Sequence, residues 1–572
     1  MKRLLFVAAI LLVVISAFLV ATLPPHPVTL PPTGDGTIPG SVHIHTTRSD
    51  GRSTPDEIAK FAAQLGLRFV VFADHGDGMR VIDPPTYRSG VLCIDGVEVS
   101  TNGGHYMALD MPTAPYPLAG EARDVVDDVK RLGGFGIATH PDSPKPELRW
   151  HDWTAPIDAV EWVNPDTSWR VHAAGAWPLR LRLVAAIFHY PIRPAETVAS
   201  LTTPPDQTMT HWNALVLRRK IVALAGDDAH AKLEFRNSPS GDNRYSVPIP
   251  SYDASLRTLS VHLTPERPLS GNAADDGAVV MRAIRGGHLY VAMDAIASPP
   301  SFEFTATNAL ETAHAGDELP VGGPVTLHVR SNAPAGFTTI LWRGRQMLAT
   351  EQRNEFMVAG GQNPAVYRVE IRSTEATRQI TWLFSNPIYV RAPQAATTSP
   401  EPVVEASTPL FDGHMPSGWH VEADPTSTAE LTAAPASSGA GLQLRYTLSP
   451  GPAAGQRVAI VWGAPDGRVP AGMGSYRQLK FSARADHPMR ISVQLRTPDA
   501  GRTLRRWQRS VYVDATVQEH VVAFDDLTPS PGTEAAKPPL DQVNAVLLVV
   551  DTVNTKPGSS GTVWLENVAL QR

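Results

Sequence analysis

The sequence predicts an α/β domain followed by two β-sandwich units. Three observations carry this. Between residue 41 and about residue 300, apolar runs alternate with helical patterns, which argues for a parallel sheet or an α/β barrel. Beyond about residue 300 the pattern turns to period two, as in Val325-Thr326-Leu327-His328-Val329 and Tyr367-Arg368-Val369-Glu370-Ile371-Arg372. In the first segment His45, His75, Glu98, His140 and Asp228 each stand at or just past the end of an apolar run. Scattered surface histidines would not show this phase, and the strand ends of an α/β barrel converge on one rim.

In chain order, Lys2 and Arg3 precede an uncharged apolar run over 4–23, so residues 1–23 read as a signal peptide or a membrane anchor. The positive end stays in the cytoplasm, and the remaining chain is expected to be exported, periplasmic or extracellular. Residues 24–40, rich in Pro, Thr and Gly, read as a tether. The α/β domain spans 41–300. Its strands are expected at 42–45, 69–73, 91–99, 106–109, 135–139, 159–163 and 221–225. Ser53-Thr54-Pro55-Asp56-Glu57 starts a helix that runs to about Leu65, and Val125, Val126, Val129 and Leu132 mark one face of another. A β-sandwich of about one hundred residues follows at 301–391. Residues 392–404, rich in Pro, Ala, Thr and Ser, read as a linker. The last unit, 405–572, has eight or so strand candidates and is expected to be a jelly roll.

Composition narrows the function. A chain of 572 residues is too long for one core. Net charge of −6 leaves no broad basic field, so nucleic acid is not expected as a bulk partner. The single cysteine, Cys93, sits in the apolar run Val91-Leu92-Cys93-Ile94 and reads as a buried, inert thiol. No Ser nucleophile elbow or P-loop is present.

The chemistry lies in short pieces: His43-Ile44-His45 with Ser49-Asp50-Gly51, Asp74-His75, Gly96-Val97-Glu98, His140-Pro141 and Gly226-Asp227-Asp228-Ala229-His230. Histidines at i and i+2 of a strand point the same way, so His43 and His45 can bind one ion together. Asp50 lies in a tight turn just beyond, and Glu98 can bridge two ions with its two oxygens. Asp228 and His230 repeat the i, i+2 spacing. Asp74 and Asp227 read as supporting or turn residues. Glu161 ends a strand candidate and could face the site, but it is not placed among the ligands. His26, His151, His172, His189 and His211 have no matching partner and read as solvated or core residues.

This order of motifs, H-x-H, S-D-G, D-H, G-x-E, H-P and G-x-D-x-H, resembles the PHP (polymerase and histidinol phosphatase) metalloesterase domain, over residues 41–232 and, through domain architecture, to about 390. Within it the chain looks most like exported hydrolases of the carbaryl-hydrolase type. The resemblance implies a distorted (β/α)7 barrel, an Ig-like sandwich and a galactose-binding-like C-terminal unit. It implies two to three divalent metal ions, Zn, Mn or Fe. His43, His45, Glu98 and Asp228 would hold the first, with Glu98 bridging. His140 and His105 would serve the second, and Asp50, His75 and His230 the third. Glu98, Asp228 and His140 are the expected catalytic residues. Bound metals lower the pKa of water to around 7, and the resulting hydroxide would attack phosphorus or a carbonyl. The expected activity is a phosphoesterase acting on a small ester. The alternatives are a carbamate or carboxylic ester hydrolase, and a surface carbohydrate-binding protein with Trp419, Trp462, Trp507 or Trp564 stacking on sugar through the C-terminal domain. Arg48, Arg170 and Lys232 are candidates for a phosphate clamp. Residues 4–23, if uncleaved, make the membrane a partner.

Overall fold

The computed structural model describes residues 2–32, 34, 36–236, 242–373, 380–392, 406–411, 418–436, 439–451, 455–463, 472–498, 505–530 and 532–572. Nearly all of the expected linker 392–404 lies outside the described residues. The architecture is mixed α/β, with one large mixed sheet and several sandwich sheets.

Seven neighbouring strands position the site: β1 (Ile38–Ile44), β2 (Phe69–Phe72), β3 (Val91–Thr101), β4 (Gly104–Leu109), β5 (Phe135–Ala138), β6 (Ala159–Val163) and β7 (Val222–Ala225). The strands β1, β2 and β3 are parallel, as are β5, β6 and β7. Strand β4 is antiparallel to both neighbours. The chain reverses at once after β3: Gly104 has φ +105°, and a Cβ there would meet the Arg149 carbonyl oxygen at 2.4 Å. Only glycine fits such a backbone so close to another segment. Hydrogen bonds also join the two ends of the series. The Asp227 amide donates to the Val42 carbonyl at 2.9 Å, and the His45 amide to the Ala229 carbonyl at 3.0 Å.

The apolar runs became strands because both faces are covered: all four residues of β2 are buried. The helix expected after residue 53 is α2 (Pro55–Gln64), with Thr54 and Glu57 forming a reciprocal capping box and Ile58, Ala59 and Ala62 facing inward. The N-terminal segment forms one helix, α1 (Lys2–Thr22), many of whose side chains lie outside the described residues. Among the described residues no helix is long and apolar enough to cross a membrane.

The chain divides into two compact units. The first comprises Met1–Gly76, Ile82–Pro112 and Gly133–Ala396. In it the sheet runs on past β1 through β8 (Ser260–Leu263) and β9 (Leu289–Ala292) to β10 (Thr381–Ser385), where Tyr290 pairs with Ser385. A separate four-stranded sheet includes Phe302–Thr307 and Val325–Ser331.

The second unit comprises Asp77–Val81, Thr113–Leu132 and Thr397–Arg572. It contains two six-stranded antiparallel sheets, with Leu444, Ile460, Phe481, Val493 and Leu548 in one core cluster. Trp419, Trp462 and Trp507 belong to that core and are not free to stack on sugar. Trp564 is half-buried, with the Arg484 guanidinium 3.7 Å from its ring centroid. Helix α3 (Ala122–Arg131) belongs to this unit. The buried Arg490 reaches its Asp128 at 2.6 Å and its Asp124 at 3.3 Å, and Asp124 also accepts from the Ser510 hydroxyl at 2.6 Å.

Candidate metal centre

All nine residues assigned to metals from the sequence come together. His43, His45 and Asp228 form one group whose ligand atoms lie within 4.8 Å of one another. His43, Glu98 and His140 form a second; His75, Glu98 and His105 a third; His45, Asp50, His75 and His230 a fourth. Glu98 is the hub. Its Oε2 lies 3.3 Å from His43 Nε2, 3.4 Å from His45 Nε2 and 3.1 Å from His75 Nδ1. Its Oε1 faces the other way, 2.9 Å from His140 Nε2 and 3.3 Å from His105 Nδ1.

The local backbone is not the regular pleat expected from the H-x-H spacing. His43 has φ +68°, and the β1–β2 register slips between Val42 and Ile44. A bulge therefore brings the two rings together, with their Nε2 atoms 3.1 Å apart. His140 (φ +34°) and Asp228 (φ +48°) are also left-handed. Such conformations cost roughly 1–3 kcal/mol each and persist where the surroundings over-determine them. Glu98 does not end its strand, because β3 continues to Thr101 in the hairpin with β4. The reversed direction of β4 places His105, at its start, opposite Ser100 and near Glu98.

A carboxylate outside the expected ligand set organises the site. Glu161, buried in the middle of β6, meets His43 Nδ1 through Oε1 at 2.5 Å. Its Oε2 accepts from the His140 amide at 2.9 Å and from Asn164 Nδ2 at 3.1 Å. Gly226 makes room for it, since a Cβ there would lie 1.9 Å from Glu161 Oε1. The only sequence signal was an acid inside the otherwise apolar Ala159-Val160-Glu161-Trp162-Val163. His140 Nδ1 pairs with the Leu148 carbonyl at 3.0 Å and His230 Nδ1 with the Asp228 carbonyl at 2.9 Å. With Nδ1–H committed outward, each Nε2 presents its lone pair to the site. Asp74 supports the turn, accepting from the Thr46 amide and hydroxyl at 2.8 Å and from the Ser49 hydroxyl at 2.6 Å. Asp227 accepts from Ser41. Arg48 pairs with Asp83 and Asp95, Arg170 with Asp166 and Lys232 with Glu234, so each clamp candidate already has a carboxylate partner.

The residues fit divalent cations. His45 Nδ1, His75 Nδ1, His105 Nδ1 and Glu98 Oε2 are buried without a hydrogen-bond partner. Buried polar atoms are almost always satisfied, and three orphan imidazole nitrogens around one carboxylate whose own Oε2 is also orphaned match lone pairs meant for cations. Burial would raise the Glu98 carboxyl, but the charges of His43 and His75 hold it well below its usual range. Burial and the charge of His230 push His45 down to about 4. Burial opposes protonation of His230, yet Asp50 raises it to about 10. Exposure grows in one direction: His43, His45 and Glu98 are fully buried, whereas the side chains of His75 and Asp50 are 33% and 37% exposed.

No protein-family model matches the chain, and no curated protein does. Among solved structures, a two-domain protein from Bacteroides vulgatus containing a predicted PHP-like metal-dependent phosphoesterase aligns at 13% identity and TM-score 0.29, covering 63% of this chain and 99% of that one. A family 11 carbohydrate-binding module from Clostridium thermocellum aligns at 15% identity and TM-score 0.24, covering 29% of this chain and 94% of that one. A family 30 carbohydrate-binding module from the same organism aligns at 10% identity and TM-score 0.23, covering 29% and 96%.

Proposed function

We propose that the chain is a metal-dependent hydrolase, a phosphoesterase acting on a small phosphate ester. The single observation that carries this is Glu98, one fully buried carboxylate with histidines on both oxygens and its Oε2 unpaired. His43, His45, Asp228 and Glu98 would hold one ion, Glu98, His105 and His140 a second, and Asp50, His75 and His230 a third. Bound divalent ions supply Lewis acidity and bring the pKa of water toward neutrality.

The chain's own residues do the positioning. Glu161 fixes the ring of His43 and, by accepting from the His140 amide, the backbone at His140. Thr139 donates its hydroxyl to Glu98 Oε1 at 2.8 Å and steadies the hub. The substrate would approach from the side of Asp50, His75 and His230, where the site is most exposed. The ligand groups contain three carboxylates, Asp50, Glu98 and Asp228. Two divalent ions outweigh them, which favours an anionic substrate over a neutral carbamate. Export with residues 4–23 as signal or anchor belongs to the same proposal.

The test is elemental analysis of the purified chain with a panel of phosphomonoesters, phosphodiesters, carboxylic esters and carbamates under Mn and Zn. Two to three bound equivalents and phosphate-ester turnover, both lost in Glu98→Gln, are expected. Metal-free protein with an intact fold would overturn the reading, and turnover of carbamates alone would move it to that class.

A further inference from the structure

Helix α4 (Pro165–Ala174) leads into α5 (Trp177–His189), and α5 carries its apolar residues on the outside. Trp177, Leu181, Val184 and Phe188 are 69%, 48%, 49% and 51% exposed. Their i, i+4, i+7, i+11 spacing puts them on one helical face. Ala186, which the helix buries, lies roughly 180° around from Trp177 at about 100° per residue. Ile187 widens the strip at 65% exposure, and Ile192 extends it past the helix end at 54%. A surface helix of a soluble protein shows the opposite polarity.

Charge and neighbours identify what covers this face. Arg180, Arg182 and Arg193 lie on α5 and its exit, and no Asp or Glu occurs between Asp166 and Glu196. The end of α1 meets the same helix. Thr22 Oγ1 lies 2.9 Å from His189 Nε2, the Phe18 and His189 rings stack at 6.2 Å, and Arg193 donates to the Pro24 carbonyl. One cleft is lined by Phe18 and Ala21 together with Leu181, Val184 and Phe188. On the anchor reading proposed above, on which this inference rests, a bilayer entered by the uncharged run at 4–23 would meet α5 at its surface.

We infer that α5 is a membrane-surface element. Its Trp177–Leu181–Val184–Phe188 face enters the headgroup–acyl boundary of a bilayer containing anionic lipid, with Arg180 and Arg182 at the phosphates. Aromatic and aliphatic side chains on one face with arginines on the remaining sides suit that boundary. The long arginine stems let the charged ends stay at headgroup level.

The experiment uses the full chain with phosphatidylcholine–phosphatidylglycerol vesicles. An environment-sensitive fluorophore is attached at Leu181→Cys, at Phe188→Cys and, as a control, at the exposed Met347→Cys; Cys93 is buried and stays unlabelled. Labels at 181 and 188 should shift to the blue, lose quenching by aqueous iodide and gain quenching by lipids with doxyl groups near the headgroup. The label at 347 should stay iodide-quenched. Arg180→Glu with Arg182→Glu should reverse the effect at 181 and 188 without altering the circular dichroism. Labels at 181 and 188 that remain iodide-quenched and silent to doxyl lipid overturn the inference. So does a blue shift without lipid that grows with protein concentration, which would assign the face to a second copy.

Discussion

The Nδ1 of His43 lies 2.5 Å from Oε1 of Glu161, across 118 positions of sequence. This contact leaves His43 Nε2 facing Glu98 and Asp228 at 3.3 and 3.5 Å. An outer carboxylate on a ligating histidine sets its tautomer and raises its basicity.

Glu161→Gln should therefore lower bound metal and kcat/KM by about 10- to 100-fold while leaving the fold intact. Elemental analysis beside steady-state kinetics checks it. Full metal content at full turnover would detach Glu161 from the site.

Gly226→Ala should reproduce that loss without touching any ligand, because the new Cβ would sit 1.9 Å from Glu161 Oε1. The measurement is metal content with circular dichroism. The double variant Glu161→Ala with Gly226→Ala should lose no more metal than Glu161→Ala alone.

Arg490→Met should destabilise the second unit by about 3–5 kcal/mol, because it strands two buried carboxylates, Asp124 and Asp128. Adding Asp124→Asn and Asp128→Asn should recover part of the loss in thermal midpoint. Removal of residues 401–572 takes away the same partner from α3, so the truncated chain should be less stable than one keeping them.

Glu121→Gln should stabilise the chain at neutral pH and above. Burial, with the neighbouring Asp124, raises the Glu121 carboxyl from 4.5 to about 7. The folded chain keeps a proton that the unfolded chain releases above its lower pKa. Its stabilising contribution is complete below about pH 4.5 and is lost as pH rises through about 7. The glutamine variant cannot ionise, so its gain in thermal midpoint should be near zero at acid pH, grow to about pH 7 and then level off.

Cys93 should resist thiol reagents at pH 8 until the chain unfolds. It is 5% exposed, and burial pushes its thiol up to about 12. Rapid labelling of the native chain would place Cys93 at an opening surface.

Local pattern sufficed for much of this protein. The strand at Ala159–Val163 and that at Arg457–Trp462 have the bounds their apolar residues suggest, and Thr54 with Glu57 marks the start of α2. Such signals depend on residues a few positions apart, where periodicity and capping act. The strands Trp419–Ala423 and the alanine-rich Thr428–Ala436 carry no such local signal, and they take their pairing from partners elsewhere.

By itself the sequence presented eight of the nine candidate ligand residues in short motifs, most of them near strand ends, because ligand chemistry and strand period are both written locally; His105 came only through the family resemblance. Tertiary structure alone decided that β4 runs backwards and brings His105 to Glu98, that a bulge at His43 turns it toward His45, and that Glu161 orients them. It also assigned α3 to the second unit through Arg490. The physical reason is shared: each depends on a hydrogen bond, a charge pair or a close backbone approach between segments distant in sequence, or on a backbone twist that only the packed surroundings hold in place.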